Sequence, residues 1–297
     1  MSPPSFAILE NRGVLAVAGE DARTFLQGLV SNDVNKLAAN RALYAAFLTP
    51  QGKYLHDFFM AELGGAVLLD CERERLADLQ RRLSIYKLRA KATLADRTPE
   101  FAVAVLFGDG WATAVGVDGA SGDAAPVLGG VAYVDPRLAD VGGRAILPRN
   151  TAVEQLTGSG LRGADPAEYD SLRLRCGLPD GSRDLIIDKS ILLESGFDEL
   201  NGVDWDKGCY MGQELTARTK YRGLVKKRLV PVAIEGPAPA PGTPIQSDGK
   251  EAGEMRSARG DIGLALLRLE YLGAEAQAPL VAGEARLTPR KPAWIRF

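Results

Sequence analysis

Apolar residues from Phe6 to Ala95 switch between a repeat of two and a repeat near three and a half, which leaves few folds open. Ala7–Leu9 and Val14–Ala18 read as short strands around Asn11-Arg12-Gly13, a hairpin signal. Within Asp21–Val30, Ala22, Phe25, Leu26 and Leu29 keep helical spacing, and Ser31-Asn32-Asp33 ends that helix with turn chemistry. Ala42–Leu48 and Tyr54–Met60 flank Pro50-Gln51-Gly52-Lys53, a second hairpin in which Gly52 supplies an unusual backbone angle. Val67–Asp70 is strand-like, Glu72–Tyr86 is an amphipathic helix with Leu76, Leu79 and Leu83 on one face, and Lys91–Leu94 returns as a strand. The order β-β-α-β-β-β-α-β predicts an α+β fold containing a ferredoxin-like unit.

The pattern then changes twice. Phe101–Phe107, Val131–Val134 and Arg144–Leu147 are strands, and the glycine-rich Gly108–Gly130 reads as a loop because it lacks the lysine and hydroxyl of a phosphate loop. Asp165-Pro166 starts a helix whose buried side is Tyr169, Leu172, Cys176 and Leu174, and Gly177-Leu178-Pro179 stops it. Beyond Gly223, Leu224–Ile234, Ile262–Leu267, Ala285–Leu287 and Trp294–Phe297 are short β-like runs divided by glycine and proline. They predict a β-barrel or sandwich of about 70 residues starting near Leu224.

Composition excludes some chemistry. Net charge −2 on 297 residues gives no general attraction to nucleic acid or to an anionic membrane, so neither is expected as a partner. Cys71, Cys176 and Cys209 form no C-x-x-C pair and His56 is the sole histidine, so the chain cannot build a closed zinc site or a four-cysteine cluster by itself. A sparse, odd cysteine count fits a reducing compartment. Met1–Phe6 shows no basic segment leading into an apolar core, and no run of about 18 apolar residues occurs, so the expectation is a cytoplasmic protein.

The most distinctive stretch is Lys207-Gly208-Cys209-Tyr210-Met211-Gly212-Gln213-Glu214, followed by helix formers to about Tyr221. If Gly208–Gly212 is the turn feeding that helix, Cys209 lies near a helix N-terminus, where exposed N–H groups and Lys207 favour the thiolate. The alternative is a small buried cysteine. Arg218, Lys220, Arg222, Lys226, Lys227 and Arg228 follow with no acid among them. Arg218 and Arg222 suit an anionic ligand tail, and Tyr210 and Tyr221 offer flat faces for a ring; solvated strand-edge cations are the other reading.

The stretch from Lys207 to Glu214 resembles the signature of the YgfZ family of folate-binding proteins, which help mature iron–sulfur proteins. Phe25–Val34, with Arg41-Ala42-Leu43-Tyr44 and Gln51-Gly52-Lys53, is similar to both YgfZ and the folate-dependent glycine-cleavage T-protein. Leu172–Gly177 resembles the T-protein helix that faces folate. The resemblance implies two intertwined α+β subdomains in residues 1–223, roughly 1–95 with 165–223 and 96–164, followed by a β-barrel over 224–297. It also implies a folate cavity, with tetrahydrofolate as cofactor and Asp33, His56, Asp57, Arg175, Tyr210, Gln213, Glu214, Arg218, Tyr221 and Arg222 as contacts. Where T-proteins carry paired aspartates, this chain has His56-Asp57; where they hold the pterin with glutamate, it has Arg175, which is all donors. Both changes argue against aminomethyl transfer.

The expected role is folate-binding assistance in iron–sulfur cluster assembly or repair. Cys209 and Lys207 carry the chemistry, and cluster-assembly proteins or client iron–sulfur enzymes are the partners. A folate-dependent one-carbon transferase using Asp57 or His56 is the alternative, and a scaffold that has lost folate is the third.

Overall fold

Strand-forming residues of the N-terminal region are shared between two sheets. The protein is described here by a computed structural model covering residues 2–117, 119–273 and 278–296. In chain order come β1 (Ser5–Ile8), β2 (Arg12–Ala18), α1 (Ala22–Gln27), β3 (Leu43–Leu48), β4 (Tyr54–Leu63), β5 (Ala66–Glu72), α2 (Leu76–Lys87) and β6 (Thr93–Asp96). The expected order of elements is therefore present. The first hairpin is not: β2 lies between β5 and β6 in a five-stranded sheet ordered β3-β4-β5-β2-β6, whereas β1 belongs elsewhere. The chain does turn there, with the Arg12 N–H donating to the Leu9 carbonyl at 3.0 Å, but β1 then joins β7 and β2 joins β5. Helix α2 covers this sheet with Leu76, Leu79 and Leu83, the three residues its spacing predicted.

The second sheet holds β1 with β7 (Phe101–Phe107), β8 (Ala124–Val127), β9 (Gly130–Val134), β10 (Gly143–Pro148) and β11 (Arg162–Gly163), ordered β11-β1-β7-β10-β9-β8. The glycine-rich segment expected to be a loop instead contains α3 (Trp111–Val115) and β8; Asp118 lies outside the described residues. Burial decides this, since Trp111 and Val115 enter the core formed by Phe6, Ala104, Leu106, Ala132 and Leu147. Gly143 makes room for the indole: a Cβ there would lie 2.1 Å from the Trp111 ring. Helix α4 (Ala152–Gly158) adds Leu156 to the same core and had no sequence expectation.

The chain separates into two compact units, one comprising Met1–Leu48, His56–Tyr169 and Leu200–Met211, the other Thr49–Leu55, Asp170–Glu199 and Gly212–Phe297. The first holds the second sheet and most of the five-stranded one. The second holds most of α5 (Pro166–Cys176), all of α6 (Gln213–Tyr221), and a closed barrel. Its strands are β12 (Lys227–Glu235), β13 (Pro244–Ser247), β14 (Lys250–Arg259), β15 (Ile262–Arg268), β16 (Leu280–Ala282) and β17 (Ala285–Pro289). They run β12-β15-β14-β13-β16-β17, and β17 returns to β12, so no open edge remains. The expected last strand is absent: residues 294–296 lie outside any strand and Phe297 is outside the described residues.

On α5 two of the four residues expected to be buried, Tyr169 and Leu174, are so. Leu174 is fully buried and packs with Leu229, Ile262 and Leu264 of the barrel, whereas Leu172 and Cys176 are only half-buried. Beside it Arg173 is buried and bonded throughout: to Asp170 and Asp184 carboxylates at 2.7 Å each, to the Leu178 carbonyl at 3.1 Å, and to Ser257 Oγ at 3.0 Å. Asp184 in turn accepts from the Ser257 hydroxyl and N–H, which ties α5 to β14. Arg173→Met removes the cation and strands Asp184, which is 3% exposed. A loss of about 3–5 kcal/mol is expected, read as a lower urea midpoint.

Candidate functional site

The two most distinctive sequence stretches meet. The turn after α1 and the segment Asn201–Met211 lie side by side, joined by backbone and side-chain bonds. Ser31 Oγ donates to the Gly202 carbonyl at 2.6 Å, and Asn32 Nδ2 donates to the carbonyls of Asn201 at 2.8 Å and Tyr44 at 2.7 Å. The Asp204 N–H reaches the Ser31 carbonyl at 3.0 Å, and the Met211 N–H reaches that of Gly28 at 3.1 Å.

Lys207 is the centre of this seam. Its ammonium is buried and donates to the carbonyls of Gln27 at 2.9 Å, Val30 at 2.5 Å and Asn32 at 2.7 Å, three acceptors for three N–H groups. It also lies 5.0 Å from the centre of the Tyr210 ring. Burial pushes its pKa down to about 8, opposed by the negative charges of Asp33 and Asp204. Lys207, expected beside the Cys209 thiol, directs its ammonium at the backbone of the turn.

That clamp leaves Cys209 displayed. Its residue is exposed, whereas Cys71 is fully buried and Cys176 half-buried. Burial pushes the Cys71 thiol up to about 12, so it is inert. Cys209 stands four positions before Gln213, the first residue of α6, in the segment expected to lead into that helix. Gly212 begins α6 from φ 81°, a left-handed conformation suited to glycine. In the second unit, Gly52 packs against this helix start: a Cβ on Gly52 would lie 2.7 Å from the Gly212 carbonyl and 2.6 Å from Leu215 Cβ.

The remaining candidates divide sharply. Asp33 is half-buried and accepts from Gln27 Nε2 at 2.8 Å and the Asn35 N–H at 3.1 Å, the work of a cap. His56 and Asp57 are neighbours on β4 and face opposite sides. Asp57 is buried and accepts from the Tyr44 hydroxyl at 2.8 Å. His56 lies under α2, with Nε2 3.1 Å from Asp78 Oδ2. Burial first, then the charge of Arg75, push the His56 pKa down to about 4 against the pull of Asp78, so the ring is neutral at pH 7. Arg175 is exposed. On α6, Gln213 is half-buried, Glu214 pairs with Arg218, and Tyr221 and Arg222 are exposed. The basic run is partly neutralised: Lys220 binds Asp198 at 2.9 Å and Arg228 binds Glu199 at 2.6 Å.

A buried polar group escaped sequence reasoning. Phe59, two residues from Asp57 and on the same face of β4, lies between guanidiniums, with Arg144 Cζ 4.1 Å and Arg137 Cζ 4.7 Å from its ring centre. Asp70 binds Arg12 at 2.6 Å and Arg144 at 2.7 Å, and Asp135 binds Arg137 at 2.9 Å. Burial alone would lower the pKa of Arg144, but Asp70 overcomes it and holds the residue charged. Arg137 also overlies Tyr44, whose hydroxyl pKa is raised by burial and then by Asp57. A charged residue inside an otherwise apolar strand, such as Asp70 in Val67–Cys71, was the available signal. Among the described residues, no group of three His, Cys, Asp or Glu side chains is placed to hold a metal ion.

Comparison with known proteins now places the chain. It is 37% identical to the mouse protein named "Iron-sulfur cluster assembly factor IBA57, mitochondrial", over 89% of this chain and 77% of the relative. The chain belongs to the IBA57 family. The human relative of the same name is 36% identical with the same coverage of each chain. Residues 226–297 match the CAF17 C-terminal beta-barrel domain, in accord with the closed barrel. The solved glycine cleavage system aminomethyltransferase T from Bartonella henselae superposes with a TM-score of 0.80 over 99% of this chain and 87% of that one, at 15% identity. It shows that the folds are alike. The cytoplasmic expectation is corrected, because these IBA57 relatives are mitochondrial by name.

Two outcomes test the site's construction. Lys207→Met leaves three carbonyls without their donor and is expected to cost about 2–4 kcal/mol in urea unfolding. His56 takes up a proton near pH 6.5 when unfolded but only near 4 when folded. Its contribution is complete above pH 6.5 and is lost as the pH falls towards 4, by roughly 3 kcal/mol in all. His56→Gln should therefore flatten the acid limb of the stability–pH curve.

Proposed function

We propose that this protein is an iron–sulfur cluster assembly factor whose Cys209 thiolate supplies one ligand to a cluster shared with a partner protein. The observation carrying this reading is the exposure of Cys209 on a segment fixed by the buried Lys207 clamp. One thiolate cannot hold a cluster alone, so the remaining ligands come from the partner, a cluster-assembly protein or a client iron–sulfur enzyme. Cys209 gives up its proton on binding iron, and the rigid seam beneath it keeps the sulfur presented without an ordering cost at the moment of contact.

The finer reading is a YgfZ-type protein that binds tetrahydrofolate, a reduced pterin able to carry a one-carbon group. Its support is the chemistry of the residues present. Arg175 has no acceptor to offer a pterin's amino-amide edge, whereas Asp57 is a buried carboxylate oriented by Tyr44. Asp57 and the Tyr210 ring are the groups in the first unit suited to that ligand. One-carbon transfer has less support, since His56 stands where the T-protein's second acid would be and faces α2.

Cys209→Ser tests the thiol. Cells carrying it should lose activity of four-iron enzymes while the purified variant keeps the wild-type melting temperature; undiminished enzyme activity removes the thiol from the mechanism. Calorimetric titration with tetrahydrofolate tests the finer reading separately. Saturable binding that is weakened at least tenfold by Asp57→Asn is expected, and no saturable heat leaves cluster assembly without folate.

A further inference from the structure

We propose that the corner between α2 and β6 is a docking site for an acidic segment of a partner protein that anchors through one apolar side chain. Helix α2 ends at Lys87, and the chain reverses through Lys87-Leu88-Arg89-Ala90, closed by the Ala90 N–H on the Lys87 carbonyl at 2.8 Å. Leu88 has φ 45° and ψ −110°, the first central position of a type II′ turn. Glycine fills that position because an L side chain there crowds its own backbone. Leu88 is nevertheless a leucine, and it is 87% exposed. The fold thus accepts strain and an apolar side chain in water at one residue, with no packing in return; such outliers gather at contact sites.

The surroundings define the partner's chemistry. Ile85 and Tyr86 are exposed beside Leu88, and Ser84, Ile85, Lys87, Leu88 and Leu94 line a cleft of about 360 Å³. From Leu79 to Ala95 the chain carries Arg81, Arg82, Lys87, Arg89 and Lys91 with no acid. Arg81 and Arg82 share the single carboxylate of Asp78, which leaves one positive charge over, and Lys91 pairs with Glu20. Lys87 and Arg89, on either side of Leu88, form no ion pair among the described residues. Two uncompensated cations bracketing an apolar anchor fit carboxylates on either side of a leucine-, methionine- or phenylalanine-sized residue. Two unpaired cations are fewer than the roughly four to eight clustered basic residues that mark an anionic lipid site, which favours a peptide.

The test is an array of short peptides, each with one apolar residue among glutamates and aspartates, probed with the full chain. Binding is expected to weaken with salt and to fall about tenfold or more in Leu88→Gly and in the charge reversal Lys87→Glu/Arg89→Glu. Leu88→Gly should melt no lower than wild type, because glycine suits the turn; that separates a lost anchor from a lost fold. Three results would overturn the proposal: no binding to any acidic peptide, binding that survives Leu88→Gly, or Leu88-dependent sedimentation with phosphatidylserine vesicles in place of peptide binding.

Discussion

The ammonium of Lys207 determines the shape of the functional region. A buried lysine is costly unless its donors are all used, and here three backbone carbonyls from the turn after α1 use them. Those carbonyls belong to the last residue of α1 and the turn that follows it. The bargain is mutual: the turn needs a donor, and the lysine needs acceptors. With the ammonium drawn down into the turn, Tyr210 beneath its charge is buried and Cys209 is left at the surface. The lysine is thereby the fixture of the segment that carries Cys209.

The same rule governs the other buried charges. Arg12 and Arg144 share Asp70, and Arg137 pairs with Asp135, near Phe59, with Asp57 and Tyr44 adjoining. Arg173 is balanced by Asp170 and Asp184. Buried pairs of this kind contribute little net stability against an apolar replacement, but losing one partner is expensive. They therefore act as register pins: β2, β5 and β10 are fixed relative to one another by Asp70, which binds Arg12 and Arg144 at once.

Much of this was legible in the sequence, and the gaps have physical causes. The apolar face of α2, the span of α6 and the β3–β4 hairpin with its left-handed Gly52 were readable because periodicity and turn chemistry are local. The β1–β2 hairpin failed because strand partners are chosen by the whole sheet, and α3 was hidden because glycines mask a segment buried through Trp111 and Val115. On α5 the resemblance drew attention to Arg175, which is exposed, while its neighbour Arg173 is enclosed; a helix turns by about 100° per residue, so two positions change a residue's surroundings altogether. The seam between Phe25–Val34 and Lys207–Met211 could not be read at all, since its bonds cross some 170 residues of chain, as Ser31 to Gly202 does.

The three cysteines show how structure resolves an ambiguity that composition leaves. Near-equal arguments for reactive and buried thiols apply to any isolated cysteine. Cys71 sits within β5, its sulfur 3.8 Å from the Gly13 carbonyl and sealed from water, and burial penalises its thiolate heavily. Cys176 closes α5, where its carbonyl accepts from the Trp294 indole at 2.7 Å, so its backbone serves the helix end. Cys209 has neither constraint: it lies in irregular backbone with its side chain in solvent, and the residues on either side are anchored for it. On the proposed reading, a thiol that meets iron held by another protein has to be accessible and yet not wander. Among the three, that combination exists at Cys209, because Lys207 and Met211 are bonded to the turn below and the two residues between Lys207 and Tyr210 are left to project.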